Sequence, residues 1–184
     1  MLQPIPPTEA IRIAVLHALE VLDTDPDARY DCIVNLAAQI AGVPMANISL
    51  VDTDRQWFMA KVGVPVSETP RNVSFCQHTI MTPSPMVIND ALQDERFADS
   101  PLVTGPDGIR FYAGVPITVM GENMGALCVL DHKPNELTDH TMKSLEILAS
   151  LVSDLIQNDF LKHKVIEDEQ KPAQVATPAP TIEA

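Results

Sequence analysis

Positive charge is what this chain has least of. It carries 12 Lys and Arg against 25 Asp and Glu in 184 residues, a formal charge of −13. No basic cluster interrupts that balance, so a phosphate backbone would be repelled over most of the surface and nucleic acid is not an expected partner. Long apolar runs are missing too. No stretch approaches the roughly 20 residues that span a bilayer, and the N-terminal "MLQPIPPTEA" has neither the positive start nor the apolar middle of a signal peptide. A soluble, cytoplasmic protein without membrane contact is expected. Cysteine is sparse: Cys32, Cys76 and Cys128 form an odd, widely spaced set, which suits reduced thiols better than a disulfide framework. Without a Cys-x-x-Cys pair a closed zinc site is not indicated, and no metal is expected.

What is present is apolar patterning. At 46% apolar composition the chain can build one ordinary domain with a sizeable core, and it is too short for two. "PPTEAIRIAVLHALEVLDTDPDA" opens with prolines and Thr8 as a candidate cap, then sets Ile11, Val15, Ala18, Leu19 and Leu22 on one helical face. A second helix is expected over "DPDARYDCIVNLAAQIAGVP", capped by Asp25, stopped at Gly42 and facing the core with Tyr30, Ile33, Val34, Ala37 and Ile40. The pattern then turns to strands. "MANISLVD" and "RQWFMAKVG" flank a hairpin turn from Asp52 to Arg55, and "MVIND" offers a third strand. "IRFYAGVPITV" and "MGALCVLD" supply a fourth and fifth, joined by a tight turn at Gly121, Glu122 and Asn123. Between the strands, 74–82, 91–102 and the glycine- and proline-bearing 103–108 are pocket-forming candidates. The longest helical pattern is "ELTDHTMKSLEILASLVSDLIQNDFLK", whose apolar arc is wider than one packing face requires. From about Lys164 the pattern gives way to an acidic, proline- and alanine-rich tail. Residues 1–163 are therefore expected as one domain and 164–184 as disordered.

Two helices, a hairpin, further strands and a terminal helix make an α+β fold, with helices on an antiparallel sheet of five to six strands. The segments "RYDCIVNLAAQIAGVPMANISLVDTDRQWFMAKVGV", "TPRNVSFCQHTI", "VINDALQDERFADSPLVTGPDGIRFYAGVPI" and "GALCVLD" together resemble the GAF domain, in family order and spacing from about Leu19 to Asn158. The resemblance implies terminal helices on one face of the sheet and a small-molecule cavity on the other, roofed by short helices and loops. It marks Trp57, Phe58, Cys76, His78, Asp90, Phe97, Phe111, Tyr112, Ala113, Gly114 and Cys128 as the candidate ligand-binding positions. Period-2 alternation qualifies this: Trp57 and Phe58 leave opposite faces of a strand, as do Phe111 and Tyr112. Asp90 is as readily the cap of a following helix.

Cys76-x-His78 raises the question of a nucleophile with its base. A helical turn after Ser74 sends positions i and i+2 apart by roughly 200°, so a Cys–His dyad is not expected and no catalytic residue is assigned. Bilin-binding GAF domains often place histidine directly after the cysteine, where Gln77 intervenes here, and the cyclic-nucleotide pattern is not matched. No cofactor is named. The resemblance implies a small-molecule-binding sensory module of bacterial signal transduction that acts on a downstream signalling protein by rearranging its helices. Two alternatives stay open: a thiol-dependent enzyme resembling free methionine-R-sulfoxide reductases through Cys76 and Cys128, and a non-binding scaffold. Surplus apolar surface on the first and last helices points to a homodimer.

Overall fold

The computed structural model describes residues 5–170. Helix α1 spans Glu9–Ala18 and α2 spans Ala28–Ala41. The cap of α2 is Asp27, whose carboxylate accepts the Arg29 N–H at 2.8 Å; Asp25, the expected cap, lies outside the first turn. Gly42 ends the helix in the left-handed region at φ 66°, a conformation that glycine adopts without a Cβ penalty.

Six strands follow: β1 Met45–Val51, β2 Arg55–Val62, β3 Glu68–Pro70, β4 Met86–Ile88, β5 Phe111–Val119 and β6 Glu122–Asp131. They form one antiparallel sheet in the order β3-β2-β1-β6-β5-β4. The β1–β2 turn falls where expected, closed by the Asp52 N–H donating to the Arg55 carbonyl at 2.9 Å. The β5–β6 turn sits at Met120 and Gly121, both at positive φ, so Glu122 and Asn123 already belong to β6. That is the geometry a two-residue hairpin with right-handed strand twist requires. β3 was not legible as a strand, because three residues at an edge, ending in Pro70, carry no period.

The pleat sorts the sheet into two faces. On β1, Ala46, Ile48 and Leu50 join the larger core, which holds Leu16, Val34, Leu145, Val152 and Ile156 from the helices. Met45 and Val51 join a smaller core on the opposite face with Phe75, Cys76, Ile88, Phe97 and Val103. That smaller face is roofed by two single-turn helices, α3 Cys76–Thr79 and α4 Pro101–Thr104. The last helix, α5, runs Asp139–Gln170, past the boundary expected at 163. Residues 171–184 of the expected tail lie outside the described residues. No helix among the described residues is long and apolar enough to cross a membrane.

Two helix faces differ from expectation. On α1 the buried residues are Arg12 and Leu16, with Leu19 just beyond, while Ile11 is 58% exposed. The helix is turned so that Arg12 reaches polar partners at the end of β1, and that turn carries the more apolar stripe outward. On α2, Ala38 is buried where Ile40 was expected, and Ile40 is exposed.

Candidate functional site

Between the second sheet face and its roof lies a cavity of about 790 Å³. Its floor comes from one face of β1, β2 and β6: Met45 and Asn47, then Gln56 and Phe58, then Leu130. Phe75, Cys76, Pro101 and Leu102 contribute from the roof, and the loops 63–66 and 105–109 complete the wall. Apolar walls with few polar groups are the usual make-up of a small-molecule site. The polar groups here have a particular character. Asn47 and Gln56 are 3% and 6% exposed, and neither Asn47 Oδ1 nor Gln56 Oε1 has a hydrogen-bond partner among the described residues. Glu68, Asp107 and His132 also line the space, and no lysine or arginine among the described residues does.

The candidate positions distribute as the pleat dictates. Phe58, Cys76 and Tyr112 line the cavity. Trp57, Phe111 and Ala113 belong to the core under the helices, so they face away from it. Gly114 is paired with Cys128 across β5 and β6, and a Cβ there would collide with the Tyr112 ring; its role is to let that ring lie flat on the strand. Phe97 is part of an aromatic stack behind the wall, its centroid 4.4 Å from Phe75, which is 5.0 Å from Tyr112. His78 packs edge-to-face with Phe97, ring centroids 4.8 Å apart, and does not line the cavity. Burial, and secondarily the Arg96 charge, push its pKa below the ordinary histidine value. Asp90 caps the turn at 91–93, accepting the Leu92 N–H at 3.2 Å, and pairs with Arg110 through two contacts of 2.8 Å. It is a structural clamp outside the cavity.

Cys76, Cys128 and Tyr112 form one buried group. The two sulfurs are 3.1 Å apart, each is 3.3 Å from Tyr112 Oη, and Tyr112 Oη lies 2.7 Å from Thr79 Oγ1. Cys76 is 2% exposed and Cys128 fully buried. Burial raises the Tyr112 and Cys128 pKa values well above the ordinary ones. Burial acts the same way on Cys76, but hydrogen bonds from Cys128, Ser49 and Tyr112 outweigh it and hold that thiol below its usual value.

Asn47 and Gln56 were missed in the sequence. Each is a polar residue in a mostly apolar strand, and the available signal was their parity: Asn47 shares a face with Met45, and Gln56 with Phe58.

Comparison with known proteins agrees with this architecture. The GAF domain profile matches residues 25–156. A cyclic di-GMP phosphodiesterase of Pseudomonas aeruginosa is 39% identical over 151 residues, which is 81% of this chain but 26% of that protein. Among solved structures, the GAF domain of an Acinetobacter phosphoenolpyruvate-protein phosphotransferase superposes with a TM-score of 0.61 at 20% identity, covering 84% of this chain and 95% of the other. A type II free methionine-R-sulfoxide reductase from Thermoplasma acidophilum does so with a TM-score of 0.59 at 13% identity, covering 71% and 92%. Profile, relative and fold agree: this chain belongs to the GAF domain family.

Proposed function

We propose that this chain is a small-molecule-binding regulatory module of bacterial signal transduction, and that its cavity takes an uncharged or cationic molecule with an apolar body and N–H or O–H donors. One observation carries the reading: Asn47 and Gln56 line the cavity, and their buried amide oxygens, Asn47 Oδ1 and Gln56 Oε1, have no hydrogen-bond partner among the described residues. An unsatisfied buried acceptor costs about 1–3 kcal/mol, and a ligand donor recovers that. An anion would meet Glu68 and Asp107 with no lysine or arginine among the described lining residues to offset them. A match to a quarter of a cyclic di-GMP phosphodiesterase supports a place in second-messenger signalling; that protein's activity is not carried over. Occupancy acts on a downstream protein by favouring one of two arrangements of the helix layer, to the extent of its differential affinity for them. The module works as a homodimer through α1 and α5, whose outward faces carry Ile11, Ile147 and Leu151.

The thiol-enzyme alternative needs two sulfurs open to the substrate; Cys76 lines the cavity but Cys128 does not and is fully buried, which favours the sensory reading. Native mass spectrometry of protein purified from its own host, before and after denaturation, tests the proposal. A released neutral or cationic molecule, absent from Asn47→Leu/Gln56→Leu protein, is the expected result. A released anion overturns the ligand class, and equal release from the variant overturns the assignment of the cavity.

A further inference from the structure

The ligand donors proposed above meet Asn47 and Gln56, and the buried cysteine pair is arranged for chemistry of its own. Cys76 and Cys128 are free thiols 3.1 Å apart at sulfur, and a disulfide holds its sulfurs at about 2.05 Å. Closing the difference asks for a movement of about 1 Å, within reach of a single-turn roof helix whose first residue is Cys76. The pair is also asymmetric. Cys76 lines the cavity; Cys128 lies behind it on a central strand and is fully buried. A small reactant entering the cavity therefore meets Cys76 first. Its thiolate would accept hydrogen bonds from the Tyr112 hydroxyl and the Cys128 thiol, both within 3.3 Å.

We propose that Cys76 and Cys128 form a hydroperoxide-sensitive dithiol that closes reversibly into an intramolecular disulfide. In the first step the Cys76 sulfur attacks the terminal peroxide oxygen and the O–O bond breaks. The leaving oxygen departs as an alcohol, or as water from hydrogen peroxide, carrying the Cys76 proton. Cys76 is then a sulfenic acid, oxidised by two electrons, and the peroxide is reduced by two. In the second step the Cys128 sulfur attacks the sulfenic sulfur, the S–S bond forms, and the S–O bond breaks. Water leaves with the Cys128 proton. Two thiols and one hydroperoxide give one disulfide, one alcohol and one water. The new bond staples α3 to β6, so the cavity roof becomes redox-dependent whether or not a ligand is bound.

Hydrogen peroxide titration of the full chain in a Cys32→Ser background, followed by intact-mass measurement and peptide mapping, tests this. The expected result is a loss of two hydrogens, mapped to a Cys76–Cys128 linkage, reversed by dithiothreitol and accompanied by slower amide exchange over 74–82. With Cys128→Ser added, the reaction stops at a dimedone-reactive sulfenic acid on Cys76. Retention of both free thiols at a peroxide excess that fully oxidises the exposed Cys32 of the native chain overturns the proposal. So does sulfenic acid forming on Cys128 first.

Discussion

Arg12, in the middle of α1, donates from Nη1 to the backbone carbonyl of Val51 at the end of β1, 2.6 Å away. Its Nε and Nη2 bind both oxygens of Glu9 at 2.8 Å, and Glu9 also takes Arg71 Nη1 at 2.6 Å. Arg71 in turn holds the Asp52 carbonyl at 3.0 Å and directly follows Pro70, which lines the cavity. One cluster of charge-assisted hydrogen bonds thus joins the helix layer to the cavity wall around the end of the sheet.

Glu9→Ala leaves the Arg12 guanidinium, 1% exposed, without its carboxylate. Removing one partner of a buried pair costs about 3–5 kcal/mol; because Arg12 keeps the Val51 carbonyl, a loss near 3 kcal/mol is expected. Urea unfolding of the variant checks this, and a change below about 1 kcal/mol, the level of an exposed pair, would show the cluster to be ornamental.

The same cluster sets a pH dependence. Burial alone would raise the Glu9 pKa, but hydrogen bonds from Arg12 and Arg71 overcome it and lower the value from 4.5 to about 2. The folded value lies below the unfolded one, so the stabilisation is fully present above pH 4.5 and is lost as pH falls toward 2. Glu9→Gln should flatten the part of the acid-unfolding profile in that window that Glu9 contributes. An unchanged slope between wild type and variant would contradict the assignment.

Asn47→Leu and Gln56→Leu should separate stability from binding. Each replaces an amide with an unpaired buried oxygen by an apolar side chain of similar size, which should be neutral or stabilising by up to about 1 kcal/mol in the ligand-free chain. Binding should fall by about tenfold or more per lost hydrogen bond. Thermal unfolding with and without the released host ligand reads both effects. A variant that unfolds earlier and binds normally would mean that the amides serve the fold.

These two residues also mark where sequence reading stops. Parity along a strand placed Trp57 opposite Phe58 and Phe111 opposite Tyr112, because a pleat has only two sides and the chain cannot evade that. The roofing segments were legible from their broken periodicity. What parity cannot supply is which face is hollow: Ala113 and Gly114 look alike as small strand residues, yet one packs under helices and the other under an aromatic ring. Nor does an amphipathic pattern foresee that α1 will bury an arginine, since that depends on Glu9 and on the carbonyl of Val51 from a distant strand.

Gly114→Ala tests the close approach of Tyr112. A Cβ at Gly114 would lie 2.6 Å from Tyr112 Cζ and closer still to its hydroxyl. The ring must swing off the strand, breaking its contacts with Thr79, Cys76 and Cys128. Overpacking of this kind costs about 1–3 kcal/mol, and the displaced ring enters the cavity. Reduced stability together with weakened ligand binding is expected from calorimetry; full stability would mean that the ring has room the packing does not indicate.

The proposed homodimer has a candidate seam on α5. Ile147, Leu151, Leu161 and Val165 are between 46% and 62% exposed and recur at spacings that place them along one side of the helix, with Asp154 and Asn158 between them. Such a stripe would pair with a second copy across a two-fold axis parallel to the helix, an arrangement in which each residue meets its equivalent. Leu151→Glu puts like charges opposite each other in the seam and should convert the dimer to monomer in light scattering, with the fold unchanged by circular dichroism. In the proposed seam Asp154 would come near the Asp154 of the second copy, so raising the salt concentration, which shortens the Debye length from about 10 Å at 0.1 M to about 3 Å at 1 M, should tighten the dimer. Association that weakens with salt, or that survives Leu151→Glu, would move the interface off this helix.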